Sequence, residues 1–189
     1  DGKVITYRFK EILPEGWHDP SNADAKEMYS GEFTLTRYVG KPATEALQVT
    51  MQNDRNGSIT LTKEFYRLGA SGDDVKQETK ETTFALYRVA KNSSDAAAEL
   101  VKESTFTGST SFTDLELIAA ADKAYLYYLV EVDCPAGYAA DETGTVKLTV
   151  KDGDGTRTVQ AWGPFDFTSP DGTAAASLSQ SATVKNYSQ

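Results

Sequence analysis

The feature that most constrains this chain is a repeated alternation of apolar and polar residues with a period of two. Turn-forming residues such as the Asn-Gly pair at 56–57 separate most of the alternating segments. The segments lie at residues 4–9, 31–38, 47–51, 58–63, 82–88, 111–113, 124–132, 145–150, 164–167 and 182–185. Many short strands joined by polar turns predict an all-β chain folded as an antiparallel β-sandwich.

Three stretches are candidates for helical turns, at residues 23–29, 94–102 and 115–124. The second contains three consecutive alanines at 96–98. None of the three reaches the length at which a helix is stable by itself. We therefore expect at most one or two helical turns in any of them.

Charge and cysteine content disfavour several classes of function. The 189 residues carry a net charge of -9, whereas nucleic acids and anionic membranes are bound by basic surfaces. No run of 18 apolar residues occurs, so membrane insertion of this segment is not expected. Cys134 is the sole cysteine, which excludes an intrachain disulfide and a cysteine-rich metal site. No metal or other cofactor is expected, and a lone cysteine usually packs in a core.

A weak internal repeat indicates two units. The segment YRFKEILPEGW at 7–17 parallels YLVEVDCPAGY at 128–138, and VTMQN at 49–53 parallels ATVKN at 182–186. Repetition of whole supersecondary units predicts tandem domains. We expect residues 1–54 to be the C-terminal portion of a first, incomplete unit whose front strands precede residue 1. Residues 57–187 are expected to be a complete second unit.

Three segments of the second unit resemble the Cna B-type domains of Gram-positive adhesins and sortase-assembled pilins. GSITLTK at 57–63 is similar to the opening strand of that family, and TFALY at 83–87 to its T-F-x-L-Y strand. LVE at 129–131, followed by PAGY at 135–138, is similar to its Y-x-L-x-E … P-x-G-Y signature. The resemblance implies an immunoglobulin-like sandwich that serves as a non-enzymatic stalk or pilin module. It also implies a cell wall-anchored, extracellular location and, as partners, neighbouring domains of the same surface protein or pilus.

Many members of that family form a spontaneous isopeptide bond between a lysine of the first strand and an asparagine of the last. Carried over to this sequence, the resemblance implies a crosslink between Lys63 and Asn186, assisted by Glu131. In the first unit the corresponding remnants are Glu11 and Asn53. The matching lysine of that unit is expected on its opening strand, which is expected to precede residue 1.

The residue types suit this chemistry. An amine attacks a carbonyl only when neutral, and burial between sheets lowers the pKa of a lysine. Alternation places Lys63 on the same inward face as Ile59 and Leu61. A protonated Glu131 is expected to donate a hydrogen bond to the carbonyl oxygen of Asn186 and to carry the lysine proton to the departing ammonia. The fold supplies proximity, and the event is a single self-modification rather than turnover.

A ligand-binding adhesin domain, recognising a host protein or a glycan, is the alternative. Residues 68–80 and 138–174 are longer than hairpins require and offer a binding surface. Exposed Trp17 or Trp162 would support contact with a glycan. An enzyme is not expected, because no nucleophile motif is present.

Overall fold

The computed structural model describes residues 5–13, 17–19, 21–22, 25–34, 49–51, 54–93, 96–116, 124–167 and 178–189. The chain forms two compact units, Asp1–Arg55 and Asn56–Gln189. All regular secondary structure of the described residues is β, which confirms the predicted all-β class. Among those residues, no helix has the length and apolarity needed to cross a membrane.

The described part of the first unit forms three two-stranded antiparallel ladders. Strand β1 (Thr6–Tyr7) pairs with β5 (Phe33–Thr34), β2 (Lys10–Ile12) with β4 (Glu27–Tyr29), and β3 (Trp17–His18) with β6 (Asp54–Arg55). The strand β4 occupies residues for which helical turns were expected. The origin of this unit as the back portion of a first Cna B-like sandwich stays a prediction.

The second unit contains two larger sheets. One has the order β11 (Ser109–Leu115), β7 (Gly57–Leu68), β16 (Ser179–Ser188) and β13 (Tyr138–Ala140), with β8 (Asp74–Lys76) paired to the end of β7. The other has the order β10 (Glu99–Thr107), β9 (Glu81–Ala90), β12 (Tyr125–Asp133), β15 (Gly155–Asp166) and β14 (Val146–Asp152). Their strands pair antiparallel, except that β7 and β16 are parallel.

The main core lies between these sheets. Apolar side chains at alternate positions of facing strands are buried there, because successive side chains of a strand point to opposite faces. The buried members are Ile59, Leu61, Phe84, Leu86, Phe112, Leu115, Tyr127, Leu129, Phe165, Phe167 and Val184. Burial of so many large apolar side chains makes this layer the main stabilising element of the unit.

A second, smaller core lies on the other face of the five-stranded sheet. It contains Ala85, Tyr87, Ala98, Val130, Leu148, Val150 and Ala161. Ala98 forms a parallel bridge with Val150, its N–H donates to Thr149 O at 2.8 Å, and its carbonyl accepts from Lys151 N at 2.9 Å. Ala98 directly precedes β10, the strand at one edge of the five-stranded sheet. Its bridge therefore links that edge to β14, the strand at the opposite edge.

The expectation of helical turns at 94–102 is wrong for its described part. Residues 99–107 form β10, which pairs with β9 along its length. The helix propensity of three alanines is a weak local preference, and cross-strand pairing with burial of Ala98 outweighs it. Residues 138–174, expected to be insertion-like, contribute β13, β14 and β15 in their described part.

The pairing of β12 with β15 is interrupted by a bulge. Tyr127 pairs with Phe165, but the next pair, Leu129 with Trp162, leaves an extra residue on β15. Gly163 lies in this bulge with φ of 139°, and a Cβ atom there would lie 2.8 Å from Tyr127 O, so the position requires glycine. The structure describes all of residues 124–167, and the last pair between β12 and β15 is Leu129 with Trp162. The residues of β12 after Leu129 do not pair with the residues of β15 before Trp162.

Candidate functional site

Lys63, Glu131 and Asn186 meet between the two sheets of the second unit. Lys63 lies on β7 and Asn186 on the adjacent strand β16, with exposed fractions of 1% and 0%. Glu131 projects from β12 of the opposite sheet, and 6% of its side chain is exposed. Lys63 shares the buried face of β7 with Ile59 and Leu61, and Glu131 shares that of β12 with Tyr127 and Leu129. The structure thus brings together the three residues that the resemblance singled out.

A single carboxylate oxygen lies at the centre of this cluster. Oε1 of Glu131 is 3.0 Å from Lys63 Nζ and accepts a hydrogen bond of 2.9 Å from Asn186 Nδ2. Lys63 Nζ also donates to Asn186 Oδ1, which holds the amine against the amide group. The same oxygen therefore contacts the nitrogen that would attack and the nitrogen that would leave.

Thr82 supports the carboxylate from the neighbouring strand β9. Its hydroxyl, which is buried, lies 3.1 Å from Glu131 Oε1 and 2.9 Å from Asp133 O. The single hydroxyl proton can serve either acceptor. No sequence pattern marks Thr82. Its place beside the carboxylate follows from the register of β9 and β12, which pairs Phe84 with Glu131 and Thr83 with Asp133.

Burial controls the charge of the amine. Removal from water lowers the pKa of Lys63, and the negative charge and hydrogen bond of Glu131 oppose the shift without cancelling it. The rings of Phe65 and Phe84 have their centroids 5.5 Å and 5.4 Å from Nζ. Contact with these rings stabilises the charged form, so it is the removal from water that shifts the amine towards its neutral, nucleophilic form.

Cys134 is a contact that the sequence analysis did not anticipate. Its Sγ accepts from Asn186 Nδ2 at 2.9 Å and donates towards Tyr138 O at 3.3 Å. Burial raises the pKa of the Cys134 thiol, and the charge of Glu131 adds to this, so the group is a neutral thiol at physiological pH. Since Cys134 and Glu131 take both hydrogens of the amide nitrogen, the carbonyl oxygen of Asn186 is directed to Lys63.

One expected contact is wrong. Glu131 was expected to donate to the carbonyl oxygen of Asn186, whereas the structure has it accepting from the amide nitrogen. The physical reason is that Lys63 already donates to that carbonyl oxygen, and the carboxylate provides the acceptor that the amide N–H needs. The proton-carrying role of Glu131 stays a prediction.

A cleft of about 350 Å³ opens beside the cluster, where β12 and β15 separate. Its lining includes Glu131, Cys134, Gln160 and Trp162. Among the residues that the structure describes, Glu131 Oε2 and Gln160 Oε1 are buried oxygens without a hydrogen-bond partner. The cleft thus adjoins two residues that each carry one unpartnered buried oxygen.

The remaining sequence candidates are placed elsewhere. Glu11 lies on β2 opposite Met28, and Asn53 lies outside the described residues. Exposed Trp17 or Trp162 would have supported glycan contact, and both are half-buried. Trp162 packs against Phe84 with ring centroids 5.9 Å apart, because it borders the main core.

Comparisons with known proteins give distant structural similarities. No protein-family model matches the sequence, and no curated protein matches it. A streptococcal ancillary pilin superposes with a TM-score of 0.37 and 16% identity, over 97% of this chain and 45% of that one. A minor pilin of the Gram-positive pathogen Streptococcus agalactiae gives a TM-score of 0.33 and 16% identity, over 94% and 62% of the two chains.

The pilus-presented adhesin Cpa gives a TM-score of 0.30 and 13% identity, over 72% of this chain and 29% of that one. This chain therefore spans between 29% and 62% of the length of the three proteins. Superpositions at these TM-scores carry no argument about function. The function proposed below rests on the geometry of the site.

Proposed function

We infer that the second unit is a non-enzymatic structural module that locks itself with an amide bond between Lys63 and Asn186. The observation that carries this proposal is the position of Glu131 Oε1, which lies 3.0 Å from Lys63 Nζ and 2.9 Å from Asn186 Nδ2. One group can take a proton from the attacking nitrogen and deliver it to the leaving nitrogen only if it contacts both.

The reaction is an exchange of one amide nitrogen for another. Lys63 Nζ transfers a proton to Glu131 and attacks the side-chain carbonyl carbon of Asn186. A bond forms between Nζ and that carbon, and the bond from the carbon to Nδ2 breaks. Starting from the neutral amine, Nζ loses one proton in all, and Glu131 delivers that proton to Nδ2, so that one ammonia leaves and the carboxylate returns to its initial state. Since the reactants are held in contact by the fold, proximity lowers the barrier by several kcal/mol.

The consequence of such a bond is mechanical. Lys63 and Asn186 are 123 residues apart in the chain and lie on the first and last strands of the unit. A covalent link between them carries a pulling force directly from β7 to β16, and the strands between them stay folded. This suits a stalk or pilin module, whose partners are neighbouring domains of the same Gram-positive surface protein or pilus.

Intact mass of the denatured protein tests the proposal. We expect a mass one ammonia below that of the sequence, and a full mass in the Lys63→Ala variant after correction for the substitution. Lys147→Ala, at an exposed position of β14, is the matched control and should keep the lower mass. A full mass in the folded wild-type protein would refute the bond and leave a binding sandwich without a crosslink.

A further inference from the structure

We propose that the cleft between β12 and β15 binds the ammonia released from Asn186 and is the path by which it leaves. This inference rests on the proposed crosslinking reaction. Lys63 and Asn186 are fully buried, so the product needs a route from the core to solvent. The lining of the cleft of about 350 Å³ includes two residues, Glu131 and Cys134, that hydrogen-bond to the leaving nitrogen.

Two unpartnered acceptors mark the place of a donor in this cleft. Glu131 and Gln160 both line this space, and Oε2 of the first and Oε1 of the second are buried and lack a hydrogen-bond partner among the described residues. A buried acceptor left without a donor costs free energy. Ammonia offers three N–H groups and ammonium four, whereas an apolar occupant would leave both oxygens unpaired.

The charges of the cleft favour a cation. Glu131 and Glu142 both line it, and Gln160 Nε2 donates to Glu142 Oε2 at 3.2 Å, which orients the amide of Gln160. Arg157 also lines the cleft, but its guanidinium lies 3.3 Å from the carboxylate of Asp152. Ammonia that takes up a proton from solvent in the mouth of the cleft therefore meets more negative than positive charge. The proton uptake draws the product away from Asn186.

The rate of mass loss tests the inference. Chain isolated in denaturant from insoluble material is refolded by dilution, and the loss of one ammonia is followed by intact mass. Gln160→Met removes the Oε1 acceptor at similar volume, and we expect the reaction to slow about tenfold and still go to completion. A factor of ten corresponds to one lost hydrogen bond of about 1.4 kcal/mol. Gln77→Met, outside the cleft, should react at the wild-type rate.

Ammonium itself provides the second measurement. Refolding in ammonium chloride, compared with sodium chloride at equal ionic strength, should slow the wild-type reaction several-fold and leave Gln160→Met unchanged. Equal wild-type rates in the two salts overturn the proposal, even if Gln160→Met is slow, because Gln160 would then act on the packing of the site alone. If Gln160→Met does not fold, the comparison of the two salts in the wild-type protein still decides whether the cleft binds ammonium. If the wild-type protein loses no mass, the crosslink itself is refuted. Equal wild-type rates in the two salts refute only the ammonia site.

Discussion

Lys63 and Asn186 are diagonal neighbours on two adjacent parallel strands. The register of β7 and β16 pairs Lys63 with Val184 and Phe65 with Asn186. Residues two apart on a strand share a face, so Lys63 and Asn186 both point between the sheets. The long lysine side chain spans the diagonal and places its amine on the amide of Asn186. A shift of one residue in this register would turn Asn186 to the other face of the sheet.

Loss of the crosslink should lower the free energy of unfolding by about 5 kcal/mol, the entropy of a closed loop of this length. Lys63→Met retains the apolar stem of the side chain and removes the amine, so we expect a full mass together with this loss. Denaturant unfolding of the variant and the wild-type protein measures it. Lys147→Met should unfold like the wild-type protein, and equal stability of all three proteins would contradict the prediction.

Glu131→Gln should slow bond formation by a factor of about 100 or more, the usual contribution of a general acid–base group. The amide of glutamine retains the size of the carboxyl group but cannot carry a proton between Lys63 and Asn186. The time course of mass loss after refolding measures the effect. Glu103→Gln, at an exposed position of β10, is the control and should react normally. A wild-type rate in Glu131→Gln would remove Glu131 from the mechanism.

Cys134→Ala should slow the reaction several-fold, because Asn186 Nδ2 loses one of its two acceptors and the amide is then free to rotate. Cys134→Ser keeps an acceptor at that position and should restore most of the rate. The same refolding time course compares the two variants. Equal slowing in both would show that the sulfur matters through its size and not through the hydrogen bond.

The rate of bond formation should rise with pH and level off below about pH 10.4, the ordinary pKa of lysine. Burial lowers the pKa of Lys63, so its neutral form is reached at lower pH than in an exposed lysine. Removal of the Glu131 charge, which opposes this shift, should move the midpoint to still lower pH in Glu131→Gln. Initial rates of mass loss across a pH series give both midpoints. A midpoint at or above the ordinary lysine value would contradict the prediction.

The same shift sets how the stability of the uncrosslinked fold depends on pH. The unfolded chain binds the Lys63 proton up to about pH 10.4, whereas the folded chain releases it at lower pH. Between the two values the unfolded state holds more protons, so the free energy of unfolding rises with pH. Asn186→Ala, which cannot form the bond, should show this rise in denaturant titrations at several pH values. A flat or falling profile in that window would contradict the assignment.

Alternation in the sequence was enough to predict most strands of the second unit and the inward direction of Lys63 and Glu131. The resemblance to Cna B-type domains added Asn186, which alternation alone did not distinguish from a turn residue near the chain end. The helical turns at 94–102 were predicted from local alanine content. The structure replaces them with a strand, since Ala98 joins two sheet edges that are distant in sequence.

The sequence by itself determined the all-β class, the burial of Lys63 and the residue types available for an amide exchange. A period of two is a local property of the backbone, and it can be read from the chain without knowledge of its neighbours. Only the tertiary structure decided that Glu131 contacts the leaving nitrogen, that Cys134 holds the same amide, and that a cleft with Gln160 opens beside them. Those contacts join strands from distant parts of the chain, and they depend on the parallel register of β7 with β16 and on the bulge at Gly163, which no local pattern specifies.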